Sequence, residues 1–291
     1  MRLFFTALLG AVLCTSSFGA QAAQDVSHQI LRGKDIPVVP MAGWMDGTAV
    51  KSANGKDAVA KAPASASRYQ SKTYKFPTGT VEILTAEKGG ALLRQISKET
   101  QLYVIKGAGE VGVAGAPTPI AAGDAISRPT GVLHSTGADG IVIVAYSVGN
   151  AAPQPKSMIV HAKDVPDVVL GQWMRDGKLI AIKTAEEAAK APPDAQIHLT
   201  KRYEFDGNSM RVPYWDKKKG SPEIVGGPAI PKLTALFYLW EGRGRFTYNG
   251  QVTEVSAGDL IEEEADVPHA WTVLETMRFV ATDSLPGQNH P

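Results

Sequence analysis

Cysteine is nearly absent from this chain: Cys14 is the only one among 291 residues. Downstream of it no disulfide can form, and no thiolate is available as a metal ligand or nucleophile. An excess charge of one sign is missing too. Lys and Arg number 30 against 29 Asp and Glu, a net charge of +1. That excludes the broad one-signed field expected of nucleic-acid or anionic-membrane binders. No basic stripe with interleaved aromatics occurs, and the mixed run Asp216-Lys217-Lys218-Lys219 reads as a solvated loop. The apolar stretch at 3–13, broken by Thr6 and Gly10, is shorter than the roughly 20 residues of a spanning helix. There is no G-x-S-x-G, no P-loop and no dinucleotide glycine pattern.

Met1-Arg2, the 3–13 run and Ala20-Gln21-Ala22 have the layout of a secretory signal peptide. Cleavage is expected after Ala22 or Ala23, giving a periplasmic or secreted protein with no membrane attachment and no cysteine. A lipoprotein reading of Cys14 is the weaker alternative, because Leu13 is bulky where a small residue precedes a lipidated cysteine.

What the chain does have is a repeat. Tyr103, Gly107, Gly109, Gly123, Asp124 and His134 recur as Tyr238, Gly242, Gly244, Gly258, Asp259 and His269, 135 positions later (269 − 134). Such a period fixes architecture before any single residue does. Around it lie short Val- and Ile-rich runs at 80–85, 91–96, 101–106, 110–113 and 141–147, punctuated by Gly and Pro, which predict strands of a sandwich or barrel. The run 235–240 enters the Gly242-Arg243-Gly244 turn, and Asn249-Gly250 predicts a hairpin. Thr184 and Glu187 form a capping-box pattern for a short helix that stops at Pro192-Pro193. The expected division is a leader at 1–23, an arm and mobile linker at 24–68 and a first domain at 69–150. A bridge with a short helix follows at 151–197, then a second domain at 198–285 and a tail at 286–291.

The segment from Gly123 to His134, with Pro129 and Gly131 between, fits G-x5-P-x-G-x2-H. It resembles the second signature of the cupin family, and the strand running into Gly107-Ala108-Gly109 resembles the end of the first. The copy at 258–269 keeps Gly, Asp and His but carries Glu264 and Asp266 in place of the Pro and Gly. The resemblance covers about 75–150 and 203–283. It implies an all-β protein of two cupin double-stranded β-helix (jelly-roll) barrels in tandem, joined by a short helix. By the same resemblance alone a homodimer is expected.

Metal-dependent cupins carry two histidines and an acidic residue in the first signature. Here those slots fall on Arg94, Ile96 and Thr100 in one copy, and on Ala229, Pro231 and Ala235 in the other. A first-row metal needs about three protein ligands, and His28, His161, His198 and His290 lie outside these strands. No cofactor is therefore expected. A divalent transition metal would have to combine His134 or His269 with Glu82, Glu99 or Glu262.

Strand alternation puts Thr136 on the face of His134, and Trp271 and Val273 on that of His269, with both histidines read as pointing inward. His134 is either an inert barrel-mouth residue or a candidate acid/base. Arg94 either points inward, where it would hold a carboxylate or phosphate, or lies in solvent. Thr100, Thr136, His269 and Trp271 complete the candidate binding set, with the indole of Trp271 a stacking surface or core. Tyr103 and Tyr238 read as inter-sheet packing, and Glu262-Glu263-Glu264 as a solvated loop. The expectation is a small-molecule ligand, polar and anionic, bound in the first barrel beside a chiefly structural second one. Three readings stay open: a metal-free isomerase, epimerase or lyase, a non-catalytic binding or assembly protein, and a metal-dependent cupin enzyme using non-standard ligands. No nucleic-acid partner is expected.

Overall fold

The computed structural model describes residues 30–77, 79–96, 99–113, 116–135, 140–148, 157–176, 178–193, 195–205, 208–215, 224–225, 235–248, 250–263 and 269–283. The segment read as a leader, His28, Thr136, the 216–219 run, Ala229, Pro231, Asn249, Glu264, Asp266, His290 and the segment read as a tail lie outside them. No helix among the described residues is long and apolar enough to cross a membrane.

The first half contains β1 (Ile30–Leu31), β2 (Val39–Asp46), β3 (Ala49–Asn54), α1 (Lys56–Ala60), β4 (Ser67–Phe76), β5 (Gly79–Ala86), β6 (Leu92–Ile96) and β7 (Gln101–Lys106). It continues through β8 (Ala108–Val113), β9 (Ala116–Ala121), β10 (Ala125–Ser127), β11 (Thr130–Ser135) and β12 (Ile141–Val148). The second half repeats the series as β13 (Met158–Val160), β14 (Asp167–Arg175), β15 (Lys178–Ile182), α2 (Ala185–Lys190), β16 (Gln196–Phe205), β17 (Asn208–Trp215) and β18 (Ile224–Val225). It ends with β19 (Ala235–Glu241), β20 (Arg243–Tyr248), β21 (Gln251–Ser256), β22 (Leu260–Glu263), β23 (His269–Val273) and β24 (Met277–Asp283).

Each barrel pairs an eight-stranded sheet with a four-stranded one. The large sheets run β13-β10-β7-β12-β5-β4-β2-β3 and β1-β22-β19-β24-β17-β16-β14-β15; the small ones run β6-β11-β8-β9 and β18-β23-β20-β21. Strand for strand the two orders are the same, with one exchange. The leading strand of each half sits on the other half's sheet: β1 pairs with β22, and β13 with β10.

This arrangement corrects two expectations. The segment read as arm and mobile linker holds β2, β3 and α1, with β2 paired to both β3 and β4. The segment read as a bridge supplies β14 and β15 to the second large sheet. Low complexity hid β3, because an Ala- and Ser-rich strand at a sheet edge buries little and shows weak periodicity, whereas the 178–182 run that forms β15 reads as strand-like in the sequence. The capping box is present: Thr184 Oγ1 accepts from Glu187 N at 3.1 Å, and Glu187 Oε2 accepts from Thr184 N at 3.2 Å.

The large sheets pack back to back. On β7, Leu102 and Val104 point into the first barrel while Tyr103 points at the partner sheet; on β19, Phe237 and Leu239 point inward while Leu236 and Tyr238 face the partner sheet. Both faces are apolar, which is why these strands read as continuous hydrophobic runs. Each then ends at a tight glycine turn. Gly107 (φ 87°) and Gly242 (φ 90°) adopt the left-handed region, and a Cβ there would meet Gly140 O at 2.2 Å and Thr276 O at 1.9 Å.

Polar clasps cross the shared core in matched pairs. Tyr74 OH donates to Gly258 O at 2.6 Å, and Tyr203 OH donates to Gly123 O at 2.6 Å. Each tyrosine thus ties the Gly-Asp turn of the other barrel. The adjoining aspartates anchor the exchanged strands. Asp124 accepts from Ala162 N at 2.9 Å, with His161 Nδ1 at 3.1 Å. Asp259 accepts from Gly33 N at 2.9 Å and from Arg32 Nη1 at 2.8 Å. Between them Gln101 Nε2 donates to Ser209 O at 3.2 Å, and Tyr146 OH to Val280 O at 2.8 Å. Replacing Tyr74 or Tyr203 by Phe strands a carbonyl, at a cost of about 1–2 kcal/mol each. The check is a lowered urea midpoint with an unchanged m-value.

Candidate functional site

The two repeat histidines end on opposite faces. In the second barrel His269 lies opposite Tyr248, and Trp271 opposite Phe246. Trp271 and Val273 are core residues, so His269 points inward, as alternation predicts. In the first barrel the equivalent partner would be Val113 (248 − 135). Instead His134 lies opposite Glu110, after an irregularity in the pairing of β11 with β8. The offset of three positions is odd and therefore exchanges the faces. Leu133 and Ser135 are buried in its place, with Leu133 in the barrel core, and His134 points outward, contrary to expectation. It lines a surface pocket of about 230 Å³ with Glu110, Gly112, Ala116, Pro117 and 130–132.

Arg94 does point inward: Leu92 and Ile96, its neighbours by alternation, belong to the first barrel's core. It is not available to an anion, however. Its Nη1 lies 2.6 Å from Glu82 Oε2, and its Nη2 donates to Glu99 Oε1 at 2.9 Å. Ser71 Oγ donates to the other oxygen of Glu82. Burial alone would lower the guanidinium's pKa, but Glu82 and then Glu99 more than offset it, so the net direction is upward. Thr100 gives both its N–H (2.7 Å) and its hydroxyl (3.1 Å) to Tyr146 O, a strand anchor rather than a binding group.

The second barrel gathers a different set. Glu263, expected in a solvated loop, is buried on β22 opposite Ala235. Its Oε1 accepts from Trp271 Nε1 at 2.8 Å, and its Oε2 lies 3.4 Å from His269 Nε2. Glu262 is buried too. Arg211 lies between Met210 and Val212, which face the shared core, so it projects into the second barrel. Its guanidinium carbon is 5.6 Å from the centroid of Phe237. His198 sits edge-on to Trp215 at 5.7 Å. Burial, and secondarily the charge of Arg211, pushes its pKa down to about 4. Trp215 is 5% exposed, and its Nε1–H has no hydrogen-bond partner among the described residues.

Glu263, His198 and Arg211 were not singled out from sequence. The signal for two of them was a second period. His198 and Arg211 correspond to Tyr69 and Glu82 at an offset of 129 (198 − 69 and 211 − 82), which joins the first strands of each half before insertions stretch the period to 135.

The donor sets do not fit the metal usual in this fold. Among the described residues no group of three His, Cys, Asp or Glu converges. In the first barrel a guanidinium already stands between the two carboxylates. In the second, one histidine shares one carboxylate that a Trp N–H also holds.

Two back-to-back jelly-roll barrels with inward-facing sites define the class: a tandem double-barrel β protein. A Cupin domain family matches residues 231–283. Solved structures with similar folds include the putative glyoxylate induced protein from Pseudomonas aeruginosa. It is 14% identical, with 77% of this chain and 81% of that chain covered and a TM-score of 0.53. AerE from Microcystis aeruginosa is 8% identical, with 76% and 93% covered and a TM-score of 0.53. A variant of Bacillus subtilis oxalate decarboxylase is 11% identical, with 90% and 78% covered and a TM-score of 0.53. No curated protein matches in sequence. The family match thus falls on the second barrel, and the solved structures share the chain's fold of two jelly-roll barrels in tandem.

His198 yields a pH prediction. Its folded pKa lies below the unfolded value of 6.5, so the unfolded chain takes up the proton first. Stability is fully present above pH 6.5 and declines as pH falls toward 4, with a slope approaching about 1.4 kcal/mol per pH unit. Urea titrations across this window should show a shallower decline in His198→Gln.

Proposed function

We propose that this chain is a bicupin that binds and transforms a small, polar, anionic molecule inside its second barrel, by metal-independent acid–base chemistry of the isomerase, epimerase or lyase kind. The observation that carries this reading is the His269–Glu263 pair, at 3.4 Å on the inward face. An imidazole can take a proton from carbon or return one, and a neighbouring carboxylate steadies the imidazolium that forms. Trp271 fixes that carboxylate by holding its other oxygen. Arg211 contributes positive charge to the same interior, which favours an anionic substrate, and the Trp215 N–H is a donor in want of an oxygen. The first barrel, with Arg94 neutralised and His134 outside, serves as scaffold. We place the protein in the periplasm or outside the cell, on the strength of its leader.

A second reading, a non-catalytic binding protein, is favoured by the close packing around this pair: Phe246 and Trp271 lie 4.5 Å apart, and Trp271 and Phe279 5.1 Å. Two measurements separate the readings. Thermal-shift screening would use small carboxylates, starting with oxalate and glyoxylate, and sugar acids, with and without divalent ions. Substrate C–H exchange in D2O would be followed by NMR. On the catalytic reading His269→Ala abolishes exchange, a loss of at least about 100-fold, while ligand-induced stabilisation largely survives. Glu263→Gln slows exchange less. Stabilisation without any exchange selects the binding protein. Turnover that requires an added metal sinks the proposed chemistry.

A further inference from the structure

The polar cluster inside the first barrel is arranged around a charge. Glu82 on β5 and Glu99 just before β7 converge on the one guanidinium of Arg94 on β6, at 2.6 and 2.9 Å. Ser71 on β4 holds the second oxygen of Glu82. Glu99 is 7% exposed, deep enough that a carboxylate without a cation would be costly. Beside the ion pairs stands Tyr69, 4% exposed, whose hydroxyl has no hydrogen-bond partner among the described residues. It lies close enough to Arg94 and Glu82 for both charges to act on it. An orphaned hydroxyl, two carboxylates and a central positive charge are what a bound cation would leave behind if a side chain took its place.

We propose that Arg94 occupies the position of a divalent cation in the first barrel. Its guanidinium supplies the charge that Glu82 and Glu99 require, and it closes this barrel to metal by pairing both carboxylates and repelling a second cation. Relieved of the guanidinium, Glu82, Glu99 and the Tyr69 hydroxyl, with a donor at position 94, form a site for a small divalent ion such as Zn2+ or Mn2+. The carboxylate oxygens lie 2.6 and 2.9 Å from different nitrogens of one guanidinium, so with it removed both must close on a single ion to reach the roughly 2.0–2.2 Å of zinc–oxygen bonds. This inference is independent of the chemistry proposed for the second barrel.

The test compares the wild-type protein with Arg94→His and Arg94→Ala, each titrated with Zn2+ and Mn2+. Ion uptake is read by elemental analysis after desalting, and melting temperature by calorimetry. Wild type should take up no ion dependent on Glu99. Arg94→His should take up one equivalent, and its melting temperature should climb with ion concentration. Both effects should vanish when Glu99→Gln is added. Arg94→Ala should melt lower than wild type, with the loss recovered by the ion. If Arg94→His is unfolded as purified, added ion should fold it. A folded Arg94→His that takes up no ion overturns the proposal, as does an unfolded one that no ion restores. Wild-type uptake that Glu82→Gln or Glu99→Gln abolishes overturns it too.

Discussion

The constraint on which this molecule depends is that each large sheet must be buried on both faces. One face closes its own barrel, and the other lies against the sheet of its twin. Side chains alternate along a strand, so every central strand serves two cores at once. Leu102 and Tyr103, or Phe237 and Tyr238, are adjacent in the chain and belong to different cores. Aromatic contacts across the shared layer come in matched pairs: Tyr103 meets Tyr203 at 5.9 Å, and Tyr238 meets Tyr74 at 6.1 Å. With that layer fixed, the two barrel interiors are free to differ.

They differ most in how charge is placed. At equivalent points of the repeat, Glu82 faces into one barrel and Arg211 into the other. Tyr69 in the first corresponds to His198 in the second. The first barrel neutralises its arginine internally with two glutamates. The second surrounds its arginine with aromatic rings and sets one carboxylate against an imidazole. The same scaffold thus encloses a settled ion cluster on one side and a histidine–carboxylate pair on the other.

The repeat of Gly and Asp made the fold legible, because each of those residues answers to a local backbone need that survives duplication. The site was less legible for two physical reasons. A face is assigned by counting alternations, and an odd offset between β11 and β8 undoes the count without leaving any mark in composition. That is how His134 comes to lie outside. Charge runs also hide burial. Glu263 sits among three consecutive glutamates that read as loop, and only its place two residues beyond the core residue Ile261 marks it as inward. Arg94 was correctly an inward candidate. Its partners Glu82 and Glu99 come from separate segments, and no spacing rule predicts that they converge.

The exchanged leading strands make the two halves mutually dependent. Neither half carries its own covering strand: Asp124 is completed by residues beyond the first barrel, and Asp259 by residues that precede it. A single half could satisfy these contacts only by trading that strand with another copy of itself, so the duplicated chain is in effect such an exchanged pair on one polypeptide. Timing follows from the same geometry. Ile30 pairs with Ile261, so the first described strand waits for one of the last before it is held in place. Closure across so large a loop is slow compared with local strand pairing. Until then β22 lacks its covering strand, whereas β10 of the first barrel is covered by β13 earlier in synthesis.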